Sequence, residues 1–521
     1  MKKSITGLFI LLQLIGFAAE NKTRLIVGVT ITNFYPEWLI IYRNDLSMEG
    51  LRRIAGEDHR IMADYRYLYS QSGVDQATIY TGLLPSEHGV VAHAWYDRLR
   101  NKRQNNVISD QCLTLGEEGA KGMSPDKVQA LSLGCALKMN NAFSKVYSVS
   151  VNGEEAVMSG GSCANMALWL SENTGKWISS DYYADSLPGW LNTYNAKMES
   201  DFFIRRGWMS LADEKGNGTA LRLKSKVGLG SNFYYDLAQA KRKFDTYRIL
   251  KATPYANTLV TDLAIELLKT EQLGRDNDPD LLSLNFSCLD YMNRDFGVYA
   301  KEFQDVVLRL DQDMARLLAE LDARVGKGNY TVFLTFSEAR ELLPEELSKM
   351  RLMSGYFSVF KAVALLKSFL NLVYGEGDWI VDYDATQIYL DRQLIEQKKI
   401  PLKEIQDKIA DFMIEFEGVG HVLTGYSLTH NASSAGVEVL FQNAFSQKRS
   451  GDVLYSLQPT WIPSLKEPED YHARYSKRNR VPLYLYGAGV PAVLPKECLM
   501  TSLLPLLCDI LHIPVPYTAG K

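Results

Sequence analysis

The sequence is poor in the residues that build metal sites and disulfide frameworks. Its 521 residues include 6 Cys and 7 His, and their spacing matches no zinc ribbon, Cys-x-x-Cys motif or paired-His metal site. It also lacks a Pro/Gly/Ser-rich linker, an internal repeat and a low-complexity tract. Because no linker divides the chain, we expect a single domain over residues 19–521, with insertions around 95–250 and 340–470.

An excess of one charge sign is also missing. The chain has 57 Lys and Arg against 61 Asp and Glu, a formal net charge of -4, and its basic residues are scattered. A nucleic-acid-binding protein carries a basic patch or stripe, so we expect no nucleic-acid partner. Hydrophobic residues make up 46% of the chain, which is enough for a large buried core.

The apolar run near the start of the chain is too short to span a bilayer, which takes roughly 20 apolar residues. This run covers residues 8–15; Lys2 and Lys3 precede it, and Gly16 and Ala18 follow at the spacing of a cleavage site. The pattern predicts a secretory signal peptide over 1–18 and a periplasmic or secreted mature protein without a transmembrane segment. An uncleaved membrane anchor is the alternative.

An oxidising compartment would allow the cysteines to form disulfides. Cys288 lies in the apolar run LLSLNFSC and Cys508 in the helical pattern LLPLLCDILH, so both are expected to be buried small hydrophobic residues. Cys112 with Cys135 is the candidate bridge.

The apolar pattern alternates between strands and helices. RLIVGVTI, residues 24–31, is continuous and rich in β-branched residues, as expected of a strand buried on both faces. Pro36 suits the first turn of a helix within residues 36–55. The alternation recurs as a predicted helix at 258–268, strand at 281–286, helix at 302–325 and strand at 330–336. It predicts an α/β fold, with a doubly wound, mostly parallel sheet and helices on both faces.

The last of these strands passes directly into polar residues. Residues 333–340 read FLTFSEAR, so the strand gives way at once to Ser337, Glu338 and Arg340. Sites in parallel α/β sheets are built at the carboxyl ends of strands. This corner is therefore a candidate for chemistry.

Several stretches, taken together and in order, resemble the alkaline phosphatase superfamily, most closely its secreted bacterial phosphate-monoesterase and type I phosphodiesterase (nucleotide pyrophosphatase) branch. Among them are RLIVGVTITN, TIYTGLLPSEHGVVAHAWYD, SGGSCANMALWLSENTGKWISSDYY, LSLNFSCLDYMNRDFG and VPLYLYGAGVP. The resemblance implies a doubly wound core, two zinc ions held by Asp and His side chains at strand ends, and a Ser or Thr at a helix N-terminus that attacks phosphorus. Paired metals would activate that nucleophile and hold the leaving oxygen.

Carried over residue by residue, the resemblance places the nucleophile at Ser72, which keeps a hydroxyl, and one expected metal-binding Asp at Asp290. The remaining ligand positions carry other residue types, namely Thr32 for Asp, Arg294 and Arg480 for His, and Ser337 and Glu338 for an Asp-His pair. Glu338 could still bind a metal, but hydroxyls are poor zinc ligands and Arg is excluded. We therefore expect no zinc cofactor.

The accessory phosphate-binding groups of the monoesterase branch are replaced as well. Its Lys and Arg align with Asn152 and Glu154, and the Asn before Trp95 aligns with Ala94. These losses lie within well-matched flanking sequence, so misalignment is a poor explanation for them.

The two Arg would point where the resemblance places the dications, and either could pair with Asp290 or Glu338. One interpretation is a salt bridge that fills a dead cavity, since buried charges need partners. The other is a pocket bounded by Ser72, Arg294, Ser337 and Arg480 that binds phosphate, sulfate or a carboxylate, for which guanidinium groups are suited.

The sequence favours the first of two functions, and the second is the alternative. The first is an exported pseudoenzyme that binds an oxyanion or a protein partner or acts as a scaffold. The second is an active phosphate-monoester or phosphodiester hydrolase with Ser72 as nucleophile, and with one metal on Asp290 and Glu338 or with none.

Other polar residues have structural explanations. His88 and His93 are expected to hydrogen-bond their loop rather than form a new metal site. Asp75, three residues after Ser72, is expected to cap a helix rather than act as a base. Ser72 has no adjacent His, which disfavours a Ser-His-Asp hydrolase.

Overall fold

The computed structural model describes residues 23–211, 233–292, 297–464 and 478–517. The strands, numbered along the chain, are β1 (Leu25–Thr32), β2 (Arg60–Asp64), β3 (Ala94–Asp97), β4 (Lys102–Asn105), β5 (Ile108–Leu115), β6 (Lys121–Met123), β7 (Val146–Ser150), β8 (Met166–Leu170), β9 (Trp177–Ser180), β10 (Trp208–Met209), β11 (Tyr234–Tyr235), β12 (Asp280–Phe286), β13 (Tyr330–Ser337), β14 (Gly355–Ser358), β15 (Ile380–Tyr383), β16 (Gln387–Leu390), β17 (Val419–Thr424), β18 (Val453–Leu457), β19 (Trp461–Ser464), β20 (Arg480–Gly487) and β21 (Glu497–Leu499).

The α-helices of the described residues are α1 (Trp38–Ile41), α2 (Leu51–Ile54), α3 (Ser72–Thr81), α4 (Pro85–His88), α5 (Leu133–Asn140), α6 (Gly153–Gly160), α7 (Gly189–Asn195), α8 (Glu199–Arg206), α9 (Leu237–Phe244), α10 (Arg248–Lys251), α11 (Tyr255–Thr270), α12 (Cys288–Tyr291), α13 (Lys301–Leu321), α14 (Pro344–Lys349), α15 (Val359–Tyr374), α16 (Arg392–Gln397), α17 (Leu402–Met413), α18 (Gly425–His430), α19 (Val437–Ala444) and α20 (Leu503–Leu511).

One large sheet carries the fold, with the strand order β21-β2-β20-β13-β1-β12-β7-β8-β9-β5-β6. Its central strands β13, β1, β12, β7 and β8 are all parallel to their neighbours in that group. The flanking strands β20 and β9 are antiparallel to this group. Every residue of β1 and β13 is buried, as the continuous apolar runs require. The predicted α/β fold with a mostly parallel sheet is confirmed.

Most predicted elements recur with small shifts at their ends. The helix predicted at 258–268 is α11, and the one at 302–325 is α13, which continues into a short π-helix at Asp322–Gly326. The apolar stripe of α13 is fully buried and faces the core; its members are Phe303, Val307, Leu310, Met314, Leu317 and Leu321.

The continuous helix predicted within residues 36–55 is wrong. The segment forms two short helices, α1 and α2, because a side chain distant in sequence interrupts it. The Asp311 carboxylate accepts the backbone N–H of Ser47 at 2.7 Å and of Leu51 at 2.8 Å. Those N–H groups are therefore bonded from outside the segment, and a new helix starts at Leu51.

Residues 355–464 form a compact region with its own core. Strands β15, β16, β18 and β17 make a separate sheet, and β14 pairs with β19. A hydrophobic cluster distinct from the main core packs there, including Leu366, Ile388, Ile409 and Tyr455. This region falls within the insertion predicted at 340–470, and the division of the chain into one domain with insertions stays a prediction.

The predicted disulfide partner is wrong. Cys135 pairs with Cys163, while Cys112 is a free, buried cysteine on β5. Cys288 and Cys508 are buried and unpaired, as expected. In the part of the chain that the structure describes, no helix is long and apolar enough to cross a membrane. The predicted signal peptide lies outside the described residues.

Candidate functional site

Hydroxyl side chains occupy the carboxyl ends of the central strands. Thr32, Ser150 and Ser337 are the last residues of β1, β7 and β13, and Ser287 directly follows β12. All of these side chains are fully buried. Since parallel strands end at one edge of a sheet, the hydroxyls line the edge where sites of this architecture are built.

Glu155, on α6 directly after β7, gathers three of these hydroxyls into the Glu155 cluster. Thr32 donates to its Oε1 at 2.7 Å, and Ser150 and Ser287 both donate to its Oε2, Ser150 at 2.8 Å. Burial raises the pKa of Glu155 to about 7, the hydroxyl donors oppose that rise, and the nearby Asp290 charge adds to it. The cluster thus joins three strand ends through one carboxylate, and among the described residues no cation pairs with it.

Asp75, on α3, gathers a second set, the Asp75 cluster. Its carboxylate accepts hydrogen bonds from Tyr67 at 2.5 Å, from Ser337 at 2.7 Å and from Ser70, and the backbone N–H of Glu338 lies 3.1 Å away. Burial raises the pKa of Asp75 to about 6 against the effect of these donors. The predicted capping role of Asp75 is wrong, because its carboxylate faces the sheet edge and not the start of α3.

Glu338 caps α3 instead. Its backbone has a φ of 46°, an uncommon left-handed conformation for a residue other than Gly. There its N–H donates to Ser70 Oγ at 2.9 Å and its Oε1 accepts the backbone N–H of Ser72 at 2.6 Å. Ser72 is the first residue of α3, and Gln71 before it provides no side-chain cap. A carboxylate therefore holds the N–H group and positive dipole end that would favour a bound anion.

A second carboxylate lies over the same helix start. A side-chain carbon added at Gly73 would collide with Oε1 of Glu154. Glu154 accepts hydrogen bonds from Nδ1 of His93 and from Nδ2 of Asn106, both at 2.5 Å. Burial lowers the pKa of His93, but the Glu154 carboxylate outweighs it and the net pKa is raised. Nδ2 of Asn105 lies 3.0 Å from the other ring nitrogen, so both ring nitrogens have partners other than Ser72.

His88 has the structural role expected of it. Val90 N–H donates to its Nδ1, and its Nε2 lies 3.1 Å from the hydroxyl of Thr78 on α3, so both ring nitrogens have partners and the ring ties the loop to α3. Burial lowers the pKa of His88 to about 3, which keeps the ring neutral.

Arg480, one of the two predicted Arg, is not brought into the site. Arg480, at the start of β20, forms a 2.6 Å ion pair with Glu497, and its side chain is 54% exposed. It therefore pairs neither with Asp290 nor with Glu338, and the expected buried salt bridge through Arg480 is not formed. Arg294 lies outside the described residues. Asp290 does lie near the edge, since its charge acts on Glu155 and His93.

The residues at the sheet edge do not fit the two zinc ions that the resemblance implies. Thr32 and Ser337 offer hydroxyls that already donate to carboxylates, and the Glu338 carboxylate is bonded to Ser72. Among the described residues there is no group of three or more His, Cys, Asp and Glu side chains that could hold a metal ion. The described donors at this edge are hydroxyls and single carboxylates, not the imidazole and carboxylate sets that zinc takes.

Sequence reasoning missed Glu155 and its partners Ser150 and Ser287. The signal was present in VYSVSVNGEEAV, where a buried strand runs directly into a helix that starts with two Glu. Applying the strand-end rule to every strand, and not only to the last one, would have found it.

The comparisons with known proteins agree with this architecture. Residues 29–335 match the family model described as type I phosphodiesterase / nucleotide pyrophosphatase. A protein named calcium-transporting ATPase from Myroides odoratus is 28% identical over 95% of this chain and 93% of its own length. Alkaline phosphatase PhoV from Synechococcus elongatus is 26% identical over 95% of this chain and 91% of its own.

Alkaline phosphatase PafA from Elizabethkingia meningoseptica is 25% identical over 100% of this chain and 98% of its own. The crystal structure of wild-type alkaline phosphatase PafA superposes with a TM-score of 0.86 at 24% identity, covering 96% of this chain and 98% of that one. This likeness shows that the fold is shared. The chain belongs to the type I phosphodiesterase / nucleotide pyrophosphatase family, within the alkaline phosphatase superfamily.

Proposed function

We propose that this chain is a catalytically degenerate member of its family, which works by binding or scaffolding and not as a two-zinc phosphate-ester hydrolase. The observation that carries the proposal is the 2.6 Å hydrogen bond from the Ser72 N–H to the Glu338 carboxylate. An anionic phosphate oxygen approaching Ser72 would need that N–H group. A fixed carboxylate that already accepts from it competes with, and repels, such a substrate.

The two carboxylate clusters support the same proposal. A metal-dependent site needs ligands that are free to bind. Here the Thr32 hydroxyl donates to Glu155 and the Ser337 hydroxyl donates to Asp75. Glu154 adds negative charge over the start of α3, at the position where the resemblance implies a cationic phosphate-binding residue. Without metals, the described residues of this edge provide no source of nucleophile activation or of stabilisation for the leaving oxygen.

A second candidate function is an active phosphate-ester hydrolase with Ser72 as the nucleophile. The comparisons favour it more directly than the first, because relatives matched over nearly their full length are named alkaline phosphatases. The Ser72 hydroxyl also stands at a helix start, and within the described part of the chain it makes no hydrogen bond. This candidate requires that Glu338 move away from Ser72 or bind a metal itself.

Metal content and turnover separate the two candidates. The first expects far less than one zinc ion per purified chain, and hydrolysis of 4-nitrophenyl phosphate that is the same for wild type, Ser72→Ala and the exposed-site control Ser186→Ala. A content of about two zinc ions per chain, or turnover lost in Ser72→Ala and kept in Ser186→Ala, would establish the second.

An oxyanion remains the proposed ligand of the degenerate site, with a protein partner as the alternative. With Arg480 paired to Glu497 and Ser337 donating to Asp75, the predicted groups that could still hold an oxyanion are the Ser72 N–H and Arg294, which lies outside the described residues. Binding is expected to be weak, because Glu338 competes for the N–H and Asp290 adds a like charge. Changing Asp290 to Asn should strengthen it.

We also propose a periplasmic or secreted location. The Cys135–Cys163 disulfide supports it, since such bonds persist in oxidising compartments. Cell fractionation that finds the protein in the cytoplasm would refute this location and would leave the function proposed for the site unaffected.

A further inference from the structure

A pocket opens beside strands β2 and β20. It lies away from the candidate site at the carboxyl ends of the central strands, called here the strand-edge site. It encloses a cavity of about 160 Å³ and is lined by parts of residues 36–48, 52–57 and 60–62, with Arg478, Pro482 and Tyr484. No residue of the Asp75 or Glu155 clusters lines it, and neither do Ser72, Glu154 or Glu338. It is therefore a separate feature of the molecule.

Apolar side chains form part of the pocket lining and continue to its mouth. Leu39, Leu46 and Tyr484 are buried in its walls, whereas Ile40 is 66% and Met48 64% exposed. A cavity of roughly 150 Å³ holds one benzene ring. This pocket therefore has room for an apolar group of about that size, and two apolar side chains at the rim to extend the contact.

Cations outnumber anions in the lining, which contains Arg43, Arg52, Arg60, Arg478, Glu37 and Glu57. Two of the Arg are paired within the pocket. Arg478 donates to both carboxylate oxygens of Glu37, and Arg60 lies 3.6 Å from Glu57. These pairs neutralise both acids and leave an excess of two guanidinium groups.

The other two Arg have no such partner. Within the described residues, neither Arg43 nor Arg52 forms an ion pair or a side-chain hydrogen bond. The carboxylate that interacts electrostatically with Arg52 is Asp311, and its oxygens already accept the backbone N–H groups of Ser47 and Leu51. Two guanidinium groups thus border a partly apolar cavity, with their donors available to a ligand.

We propose that this pocket binds a small amphipathic anion, with an apolar body of about six carbons and a carboxylate or phosphate head held by Arg43 and Arg52. Ligand sites combine a concave, largely apolar lining with a few polar groups that fix orientation. Guanidinium groups suit either head, since they bind planar carboxylates and phosphates through paired N–H donors. The proposal is independent of the function proposed for the strand-edge site.

Titration calorimetry of the full chain with four probes tests the pocket. Hexanoate and hexyl phosphate combine an anionic head with an apolar tail. Hexanol has the apolar tail without an anionic head, and inorganic phosphate has an anionic head without a tail. We expect saturable binding of one or both amphipathic anions, at least about tenfold tighter than binding of hexanol or inorganic phosphate. The stronger of the two identifies the preferred head.

Variants assign the binding to this pocket. The double change Arg43→Met and Arg52→Met keeps the aliphatic stems but removes both charges, and it should weaken binding of the better probe by about tenfold or more. Ile40→Asn should weaken it less, through the rim. Arg205→Met removes an exposed charge outside the pocket and should leave binding unchanged.

The proposal is overturned if neither amphipathic anion binds, if hexanol binds as tightly as hexanoate, or if the Arg43→Met and Arg52→Met double variant binds the probe like wild type. Binding lost in Ser72→Ala but kept in that double variant would place the anion at the strand-edge site, and would also overturn it.

Discussion

The Asp75 and Glu155 clusters each hold one buried carboxylate at neighbouring strand ends, but with different hydrogen-bond donors. Glu155 is held by three hydroxyls from three strand ends and lies near the Asp290 charge. Asp75 is held by three hydroxyls and also approaches the backbone N–H of Glu338. Burial raises both pKa values, to about 7 for Glu155 and about 6 for Asp75.

The difference shows how the sheet edge is tied to the candidate nucleophile. The Glu155 cluster links strands to one another and involves no part of α3. The Asp75 cluster includes Glu338, whose carboxylate caps α3 at Ser72. A change in the Asp75 cluster should therefore be felt at Ser72, whereas a change in the Glu155 cluster should remain within the strand ends.

Removing the Asp75 carboxylate should have the largest effect on stability. Asp75→Ala leaves three buried hydroxyls and the Glu338 N–H without this acceptor, and should lower the free energy of unfolding by about 4 kcal/mol. Glu155→Ala leaves three hydroxyls and should cost about 3 kcal/mol. Urea unfolding of both variants measures the difference.

Asp407→Ala is the control for these variants, because Asp407 pairs with Lys403 on an exposed helix face. It should stay within about 0.5 kcal/mol of wild type. A Glu155→Ala variant less stable than Asp75→Ala would reverse the comparison between the clusters.

The pH dependence of stability should separate the clusters in a second way. The Glu155 pKa rises from 4.5 to about 7, so the native state holds this proton more tightly than the unfolded state. Its contribution is fully present below pH 4.5 and is lost as the pH rises through about 7, an effect on the order of 3 kcal/mol.

Glu155→Gln carries no such proton, so its stability relative to wild type should increase across that window. For Asp75→Asn the corresponding window runs from 3.8 to about 6 and ends earlier. Unfolding measured at a series of pH values tests both. Parallel curves for wild type and Glu155→Gln between about pH 5 and 8 would contradict the assignment of a raised pKa.

Single hydroxyl deletions should have the smallest effects. Thr32→Val in the Glu155 cluster and Ser337→Ala in the Asp75 cluster each remove one donor and leave others in place, at a cost of about 1 kcal/mol. If either deletion costs as much as removing the carboxylate it serves, that cluster acts as a single unit and the pairwise account of it is wrong.

The sequence was informative where local pattern decides structure. The run RLIVGVTI predicts a buried strand, and β1 covers Leu25–Thr32. The stripe from Phe303 to Leu321 predicts a core-facing helix, and α13 has that face buried. Both succeed because period and burial are properties of adjacent residues.

The sequence was less informative where distant groups decide. Asp311 interrupts the helix expected within residues 36–55, and the sequence of that segment does not indicate this interruption. FLTFSEAR marks a strand end correctly, but whether Glu338 turns toward Ser72 depends on its left-handed backbone and on Asp75. Likewise, Cys135 forms its disulfide with Cys163 and not with Cys112 because the tertiary fold, and not the cysteine spacing, decides which cysteines lie together.

The most direct test of the account is to remove the carboxylate that caps Ser72. Glu338→Gly deletes it while suiting the positive φ of that position. Lys399→Gly, at an exposed residue with a φ of 56°, is the matched control.

Phosphate titration calorimetry should show little or no binding to wild type and to Lys399→Gly, and binding at least about tenfold tighter to Glu338→Gly. Equal phosphate binding by wild type and Glu338→Gly, whether tight or absent, would contradict the claim that Glu338 holds the place of a substrate anion.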